Sequence, residues 1–452
     1  MIMQNPSPRQ IAVEILNRVE DHGAFAEPFL DAMLSRDGPA HIQDRRLLTH
    51  IVYGTLRMRG RLDYMIGQLY RGDFARMETG IKNILRTAIH QLLFTDRIPE
   101  FAIVNEAVEI SKKTHPAASG LVNALLRNAI RRKNEFRYPE ISKEPARHIS
   151  ALYSHPLWMV ERWIGVFGID ETVAICRANN DIPPYALRVN RMKTTREQVV
   201  KELTHDGFEV KLTGFSPDGV IIINSPISLR ETTLYQSGHV RIQDEASQLI
   251  AYVVDPKPGD GILDVCTGTG GKATHLAEIL GNQGHIVAID INQRKVESLR
   301  ETATRQGFSI IDAQWADATA DLGEAFREAF DRVLIDAPCS GLGTLRRNPE
   351  LKWRTSEKTP KEFNALQKKI LKRCAEYVRK GGVIIYSTCT VTPEETDEII
   401  DDFINHHHEF RQIRPSKMIH SSMIDGRKHF RTHTHRHDMD GFFAVSLIKE
   451  TM

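Results

Sequence analysis

The sequence predicts a multidomain chain with three parts: an N-terminal all-α bundle, a small α+β module, and a C-terminal α/β domain built on a doubly wound parallel sheet. Three observations carry this. Apolar residues recur at helical spacing through the first 135 residues, with almost no strand pattern. From about residue 255 short apolar strands alternate with helical stretches, the signature of parallel βαβ units. The intervening stretch mixes both patterns. The expected boundaries are 1–137, 150–250 and 251–452.

In the bundle, Ile11, Ile15, Leu16 and Val19 share one face after Pro8. Ile81, Ile84, Leu85, Ala88, Ile89, Leu92 and Leu93 form a second stripe, and Val104, Ala107, Val108, Leu121, Ala124 and Leu125 continue the pattern. The charged, Pro-containing "RRKNEFRYPEISKEPARH" (131–148) reads as a linker. In the module, "PLWMVERWIGVFG" is helical and "YALRVN" is a short strand. "TTREQVVKELTHDG" is a capped helix ending at Gly207, and "FEVKL" and "GVIII" are strands. The last part runs "GILDVC", a helix from Lys272, "HIVAID", a helix through "NQRKVESLRETATRQG", then "RVLIDAP" and "GGVIIYS". No internal repeat is evident.

Hydrophobic content of 41% and charged content of 26% fit a soluble globular protein. No apolar run approaches the roughly 18 residues of a membrane span. The start, "MIMQNPSPRQ", lacks the basic-then-apolar layout of a signal peptide, so the expected address is cytoplasmic; the oligomeric state stays open, with a monomer as the default. The five scattered cysteines, Cys176, Cys266, Cys339, Cys374 and Cys389, include no CxxC pair, which argues against a disulfide framework or zinc cluster. In a reducing compartment each is core filler or a nucleophile. Net charge is +2, yet residues 1–137 hold 20 Lys/Arg against 15 Asp/Glu. The basic clusters "RMRGR" (57–61) and "LRNAIRRK" (126–133) are either solvated helix faces or phosphate contacts of a nucleic-acid-binding module.

"GILDVCTGTGGKATHLA" (261–277) reads as strand, Gly-rich turn and helix. Gly268, Gly270 and Gly271 allow a tight turn and close backbone approach to a ligand at the helix N-terminus. Ala273 stands where a Walker loop needs Ser or Thr, so this is not a phosphate cradle. Asp290 ends the next strand, where a carboxylate can accept both hydroxyls of a ribose. Asp317 in "QWADAT" follows at the next strand-end position, expected at an adenine edge. Each acid alone is as readily a turn or cap residue, but together they suit a nucleoside without phosphates, and S-adenosylmethionine fits. Cys339 and Cys389 lie just past two further apolar strands, where such sheets carry their ligands.

"DVCTGTGGK", "AIDIN", "DAPCSGLGTLRRNPELKW" and "YSTCTVTPEE", in this order, resemble the RNA cytosine-C5 methyltransferases of the NOP2/Sun family. "DRRLLTHIVYGTLR" (44–57), "ILRTAIHQLLFTDRIPEFAIVNEAVEISK" (84–112) and "GLVNALLRN" (120–128) are similar to the NusB-like RNA-binding domain of the bacterial branch that modifies small-subunit ribosomal RNA. The resemblance implies a NusB-like bundle, a Rossmann-like methyltransferase domain, and 16S ribosomal RNA as partner, with a single-stranded or flipped-out cytosine as target. It implies that Cys266, Thr267, Gly268, Thr269, Gly270, Gly271, Lys272, Asp290, Asp317 and Asp336 surround S-adenosylmethionine, the Cys266 thiol itself being read as packing. One departure stands out. The family usually has Ala-Ala-Pro or similar where this chain has Thr267-Gly268-Thr269, which is expected to loosen the loop.

The resemblance also gives the two thiols their roles. C5 of cytosine is too electron-poor to take a methyl group unaided, and a thiolate adding at C6 makes it nucleophilic. Cys389 is implied as the attacking thiol, Cys339 as assisting release, and Asp336 as contacting N3. The rival assignment makes Cys339 the nucleophile, as in DNA cytosine methyltransferases. Lys272 either touches the methionine carboxylate or begins its helix. "HFRTHTHRHDMDGFFAVSLIK" (429–449) lacks the layout of a zinc site, so His429, His433, His435 and His437 are expected in a solvated loop before a final strand, and no metal is expected. That loop also resembles the family's C-terminal motif beside the active site. Two other functions stay open: methylation of transfer RNA, and an RNA-binding assembly factor with a vestigial methyltransferase domain.

Overall fold

The computed structural model describes residues 6–35, 42–95 and 98–451; the first half of the N-terminal stretch read for a signal peptide lies outside them. The chain divides into two compact units, Met1–Ile182 with Leu345–Glu357, and Pro183–Thr344 with Lys358–Met452.

The first unit is helical. Its opening helix, Pro8–His22, shows why the sequence folds so: Ser7 caps the N-terminus, Pro8 sits where its missing N–H costs nothing, and Gly23 takes the left-handed φ of +60° that stops it. Ile11, Ile15, Leu16 and Val19 are buried on its inner face. The helices Ile42–Leu69, Thr79–Phe94, Glu100–Thr114 and Ser119–Arg131 bury Leu62, Ile66, Ile84, Leu85, Ile103 and Leu126 together. Three more helices follow, Pro145–Tyr153, Leu157–Phe167 and Ile169–Asn180. Leu345–Glu357, the "RRNPELKW" stretch, also belongs here: the buried Lys352 Nζ donates to Arg57 O at 3.0 Å, Ser154 O at 3.1 Å and Asn180 Oδ1 at 2.7 Å. The stretch 131–148, read as a linker, lies back on the long helix through Arg137 N to Gln68 Oε1 and a Tyr64–Tyr138 stack.

The second unit holds two sheets. Strands β1 (Tyr185–Val189), β2 (Glu209–Leu212), β3 (Gly219–Asn224) and β4 (Val240–Ile242) form an antiparallel sheet in the order β2-β3-β1-β4. Helix Arg196–His205 covers it, burying Val199 and Leu203 against Leu187, Val189 and Val220. The strand β4 escaped the sequence reading because it is three residues long with an arginine at its centre.

The second sheet runs through β5 (Gly261–Val265), β6 (His285–Asp290), β7 (Ile311–Trp315), β8 (Phe330–Asp336), β9 (Val378–Thr388), β10 (Phe410–Ile413), β11 (Phe430–Arg431) and β12 (Phe443–Lys449). Five strands, in the order β9-β8-β5-β6-β7, are parallel, as the βαβ alternation predicts. The sheet is nevertheless mixed, not wholly parallel: β12 pairs antiparallel with β9, and β10 and β11 with β12. Helix Asp397–His406 carries the chain from β9 to β10, and β12 then enters between these two strands and runs antiparallel to both. Alternate strand residues feed opposite cores. Ile262, Leu334 and Ile385 meet the helices Glu245–Val254 and Gly271–Ile279, while Leu263, Val333 and Ile384 meet Thr359–Cys374 and Asp397–His406.

Candidate active site

The ends of β5, β6, β8 and β9 bring the chemistry-bearing residues to one edge of the sheet. Past β5, Cys266, Gly268 and Gly270 all take left-handed φ, at +60°, +62° and +78°. The turn is so tight that a Cβ on Gly270 would lie 2.0 Å from Leu299 Cδ1, whereas one on Gly268 would meet nothing within 4 Å. Cys266 therefore holds a conformation that a β-carbon disfavours. Its thiol is pushed up to about 12 by burial and the nearby Asp290 charge, which fits packing, not reactivity.

Asp290 at the end of β6 is nearly buried and ties the loop down. Its Oδ2 accepts from Gly268 N at 2.9 Å and its Oδ1 from Asn292 N at 2.8 Å. Beside it Ile291 and Trp315 are each 66% exposed, large apolar side chains joined by Trp315 Nε1 donating to Ile291 O at 2.8 Å. Asp317 is exposed two residues past β7. It caps its own turn, accepting from Thr319 N at 2.8 Å and Thr319 Oγ1 at 2.9 Å, and these bonds hold its carboxyl below the usual range.

Asp264, one residue before the end of β5, is fully buried. Thr267 Oγ1 donates to its Oδ2 at 2.5 Å, while Oδ1 has no hydrogen-bond partner among the described residues. Burial pushes its carboxyl up to about 7, against the Thr267 bond and helped by the Asp336 charge. Lys272 Nζ donates to Asp336 Oδ2 at 2.6 Å and lies 5.3 Å over the Phe442 ring. Burial disfavours the Lys272 charge, but the Asp336 carboxylate outweighs it and raises its pKa.

The two thiols come together because β8 and β9 are paired with Asp336 opposite Ser387. Cys339 Sγ and Cys389 Sγ stand 3.3 Å apart, both half-buried. The hydrogen bond with Cys389, then burial, raise Cys339 well above the ordinary thiol value, so it stays protonated at neutral pH. Gly343 N donates to Cys389 O at 3.0 Å, and Gly441 N to Gly343 O at 2.8 Å. A Cβ on Gly343 would stand 1.9 Å from Gly441 O, so the "DGFF" turn before β12 lies directly on the thiol loops. Cys176 is buried in the helical unit and Cys374 in the core beneath the sheet, and neither bonds to the two thiols.

Among the described residues no group of three or more His, Cys, Asp or Glu could hold a metal ion, and no helix is long and apolar enough to cross a membrane. The solvated-loop expectation for His429 is corrected. It is fully buried, 3.3 Å from Asp397 Oδ1 and 3.4 Å from Asp425 Oδ2, beside Arg431 bonded to both acids. The short strand β11 draws it in. In the helical unit "RMRGR" is not a bare basic patch. Arg59 pairs with Glu20 at 2.8 Å, and Arg61 lies over the Phe94 and Tyr138 rings at 5.3 and 5.6 Å. Arg127, Arg131 and Lys133 of the other cluster are exposed.

Three family models match the chain: NusB over residues 6–131, the ferredoxin-like domain of RsmF/B-like methyltransferases over 155–229, and 16S rRNA methyltransferase RsmB/F over 251–448. The probable ribosomal RNA small subunit methyltransferase B of Bacillus subtilis is 35% identical, covering 99% of this chain and 100% of its own. The chain belongs to the RsmB/F family. The protein of the same description from Synechocystis is 31% identical over 98% of this chain and 99% of its own. The crystal structure of PH0851 superposes with a TM-score of 0.83 at 30% identity, over 98% of this chain and 99% of that one.

As an RsmB/F methyltransferase the chain thus has a NusB helical domain, a ferredoxin-like module and a methyltransferase domain with a mixed sheet. Several site residues were not singled out from sequence. Asp264 hides in an apolar strand, Trp315 gives no sign of being exposed, and Glu395 ends "TVTPEE", where an acid after a turn reads as solvated. Glu395 is instead wholly buried between the thiol loops. Arg188 and Arg241, in the module, reach the loop of residues 266–272. Only the pairing of two distant segments brings them there.

Proposed function

We propose that the chain transfers a methyl group from S-adenosylmethionine to C5 of a cytosine in 16S ribosomal RNA, through a covalent adduct of Cys389 at C6. The observation that carries this reading is the 3.3 Å approach of the Cys339 and Cys389 sulfurs next to the Lys272–Asp336 pair. The cofactor fits the residues present. The open side of Gly268 leaves room for it, Asp290 suits the ribose, and Ile291 and Trp315 suit a flat apolar ring. The unpartnered Oδ1 of Asp264 and the carboxylate of Asp336 suit its cationic amino-acid end. When bound, S-adenosylmethionine supplies an electrophilic methyl group.

The rest is done by the chain. The Cys389 thiol gives up its proton as its sulfur bonds to C6, and that proton is taken up at N3. The C5=C6 electron pair becomes available at C5, and N3 sheds the proton to solvent when the ring is restored on release. Asp336, fixed by Lys272, accepts the hydrogen bond of that N3–H and holds the proton in place. After C5 is methylated, its proton must leave and the sulfur be expelled. Cys339, held as a thiol, hands its proton to the departing Cys389 sulfur and takes the C5 proton in exchange. A base stacked in a helix cannot reach two thiols, so the target is single-stranded or flipped out. Exposed Arg127, Arg131 and Lys133 of the helical domain suit backbone phosphates, which give register.

Bisulfite mapping of 16S rRNA from cells with and without the gene tests the reading. One protected cytosine should be lost without the gene, return with the wild type, and not return with Cys389→Ala. An unchanged 16S map would overturn it, and a change in transfer RNA alone would move the substrate there.

A further inference from the structure

Two strands of the ferredoxin-like module each direct one arginine onto the Gly-rich loop. Arg241 in β4 donates from Nη2 to the carbonyl of Thr269 at 2.9 Å and to its hydroxyl at 3.0 Å. Arg188 in β1 is fully buried. Its Nη1 donates to Gly271 O at 2.6 Å, and its Nη2 to Thr274 Oγ1 at 2.9 Å. The same guanidinium is anchored by Glu278 Oε1 at 2.7 and 3.0 Å, and by Gln243 Oε1. The backbone carbonyls of Thr269 and Gly271, with the hydroxyls of Thr269 and Thr274, are thus bonded to two planar guanidinium groups from the other sheet.

The loop needs such bracing. Gly268 and two further left-handed positions give it a backbone with many alternatives in the unbound chain. A ligand that must first order a loose loop binds more weakly by the fraction of time the loop is competent. An arginine fork on a carbonyl and a hydroxyl removes that cost before the ligand arrives. Thr269 supplies both acceptors to Arg241, its carbonyl and its hydroxyl.

We infer that Arg241, backed by Arg188, preorganises the loop for S-adenosylmethionine, which makes the ferredoxin-like module part of the cofactor site. This rests on the cofactor reading above. Arg241 is a positioning residue: it acts on the cofactor through Thr269.

The test uses the full-length protein with Arg241→Met, Arg241→Lys and Thr269→Val. Arg188 is left alone, because its removal would strand the Glu278 carboxyl in the interior. Calorimetry should show S-adenosylmethionine binding weakened about three- to tenfold by Arg241→Met, with partial recovery in Arg241→Lys. Arg241→Met combined with Thr269→Val should be little weaker than Arg241→Met alone, since both remove one shared interaction. Amides of residues 267–271 should exchange faster in Arg241→Met. The KM for cofactor should rise while kcat at saturation and the KM for RNA stay put. Unchanged cofactor affinity, or a shift confined to the RNA KM, would overturn the proposal. If the wild type binds no S-adenosylmethionine, the cofactor reading falls instead. Exchange at 267–271 would then still decide whether Arg241 holds the loop.

Discussion

Ser340 and Glu395 are bonded twice: Ser340 N donates to Glu395 Oε1 at 2.8 Å, and Ser340 Oγ to Oε2 at 2.5 Å. The same buried carboxylate accepts from Thr392 Oγ1 at 2.8 Å, Thr390 Oγ1 at 3.3 Å and Gln367 Nε2 at 3.2 Å. One acid therefore ties the residue after Cys339 to the residue after Cys389. Truncating it leaves several buried donors unsatisfied, each costing about 1–3 kcal/mol. Glu395→Ala should lower kcat by about tenfold or more, because a small misplacement of reacting groups is costly, while both KM values change little. Glu395→Gln, which keeps some acceptors, should lie between. Steady-state kinetics showing full kcat in Glu395→Ala would mean the thiols are held in place without it.

Asp264 gives a pH signature. Its ordinary value is 3.8 and burial raises it to about 7 in the folded chain. Between those values the folded state binds the extra proton, so this group's contribution to stability is complete below 3.8 and is lost as pH rises through 7. Asp264→Asn should therefore melt higher than the wild type at pH 8, by an amount on the order of 1–3 kcal/mol, with the gap closing near pH 4. The same substitution should weaken S-adenosylmethionine, since it removes a buried negative charge facing a cationic ligand. Parallel melting curves at the two pH values would show that Asp264 carries no such shift.

The parallel strands and the bundle were legible because hydrophobic periodicity reports directly on which face is buried. Ile11 to Val19 and Val383 to Tyr386 are of this kind. The position of the thiols, Asp290 and Asp336 at or just past strand ends was legible because each follows an apolar run; the roles of the thiols and of Asp336 came only from the family resemblance. What was not legible depends on pairing between distant segments. His429 looked solvated because its neighbours are polar, yet β11 carries it into the interior beside Asp397. The sequence left Arg57 and Arg59 as either solvated faces or phosphate contacts, yet Arg59 meets Glu20 and Arg57 Nη2 reaches Arg346 O at 3.5 Å. Charge in a sequence does not reveal whether its partner is a protein acid or a phosphate.

That distinction sharpens the prediction for RNA. If the helical domain contacts phosphates, the exposed Arg127, Arg131 and Lys133, the last paired at the surface with Glu100 at 3.3 Å, should carry the contacts, not the half-buried "RMRGR" arginines. Neutralising the three to Gln should weaken RNA binding and reduce the slope of log affinity against log salt by about 0.7–0.9 per lost contact. Arg59→Gln should cost melting temperature instead, leaving the slope unchanged. A salt slope identical to the wild type in the triple variant would make the cluster a solvated helix face.

The two thiols, 3.3 Å apart, should fail in different ways when removed one at a time. If Cys389 adds to C6, Cys389→Ala forms no adduct and transfers no methyl group. If Cys339 lets the product go by exchanging protons with Cys389 and C5, Cys339→Ala still adds but releases slowly. It should accumulate a protein–RNA species that survives denaturation and runs as a slower band on a denaturing gel. Losing Cys339 also removes the hydrogen-bond partner of the Cys389 sulfur, which does not prevent addition, so the band should form at neutral pH. The variant lacking both thiols should give no band, because addition precedes release. A trapped band in Cys389→Ala, with none in Cys339→Ala, would transfer the nucleophile's role to Cys339 and leave Cys389 as its proton partner.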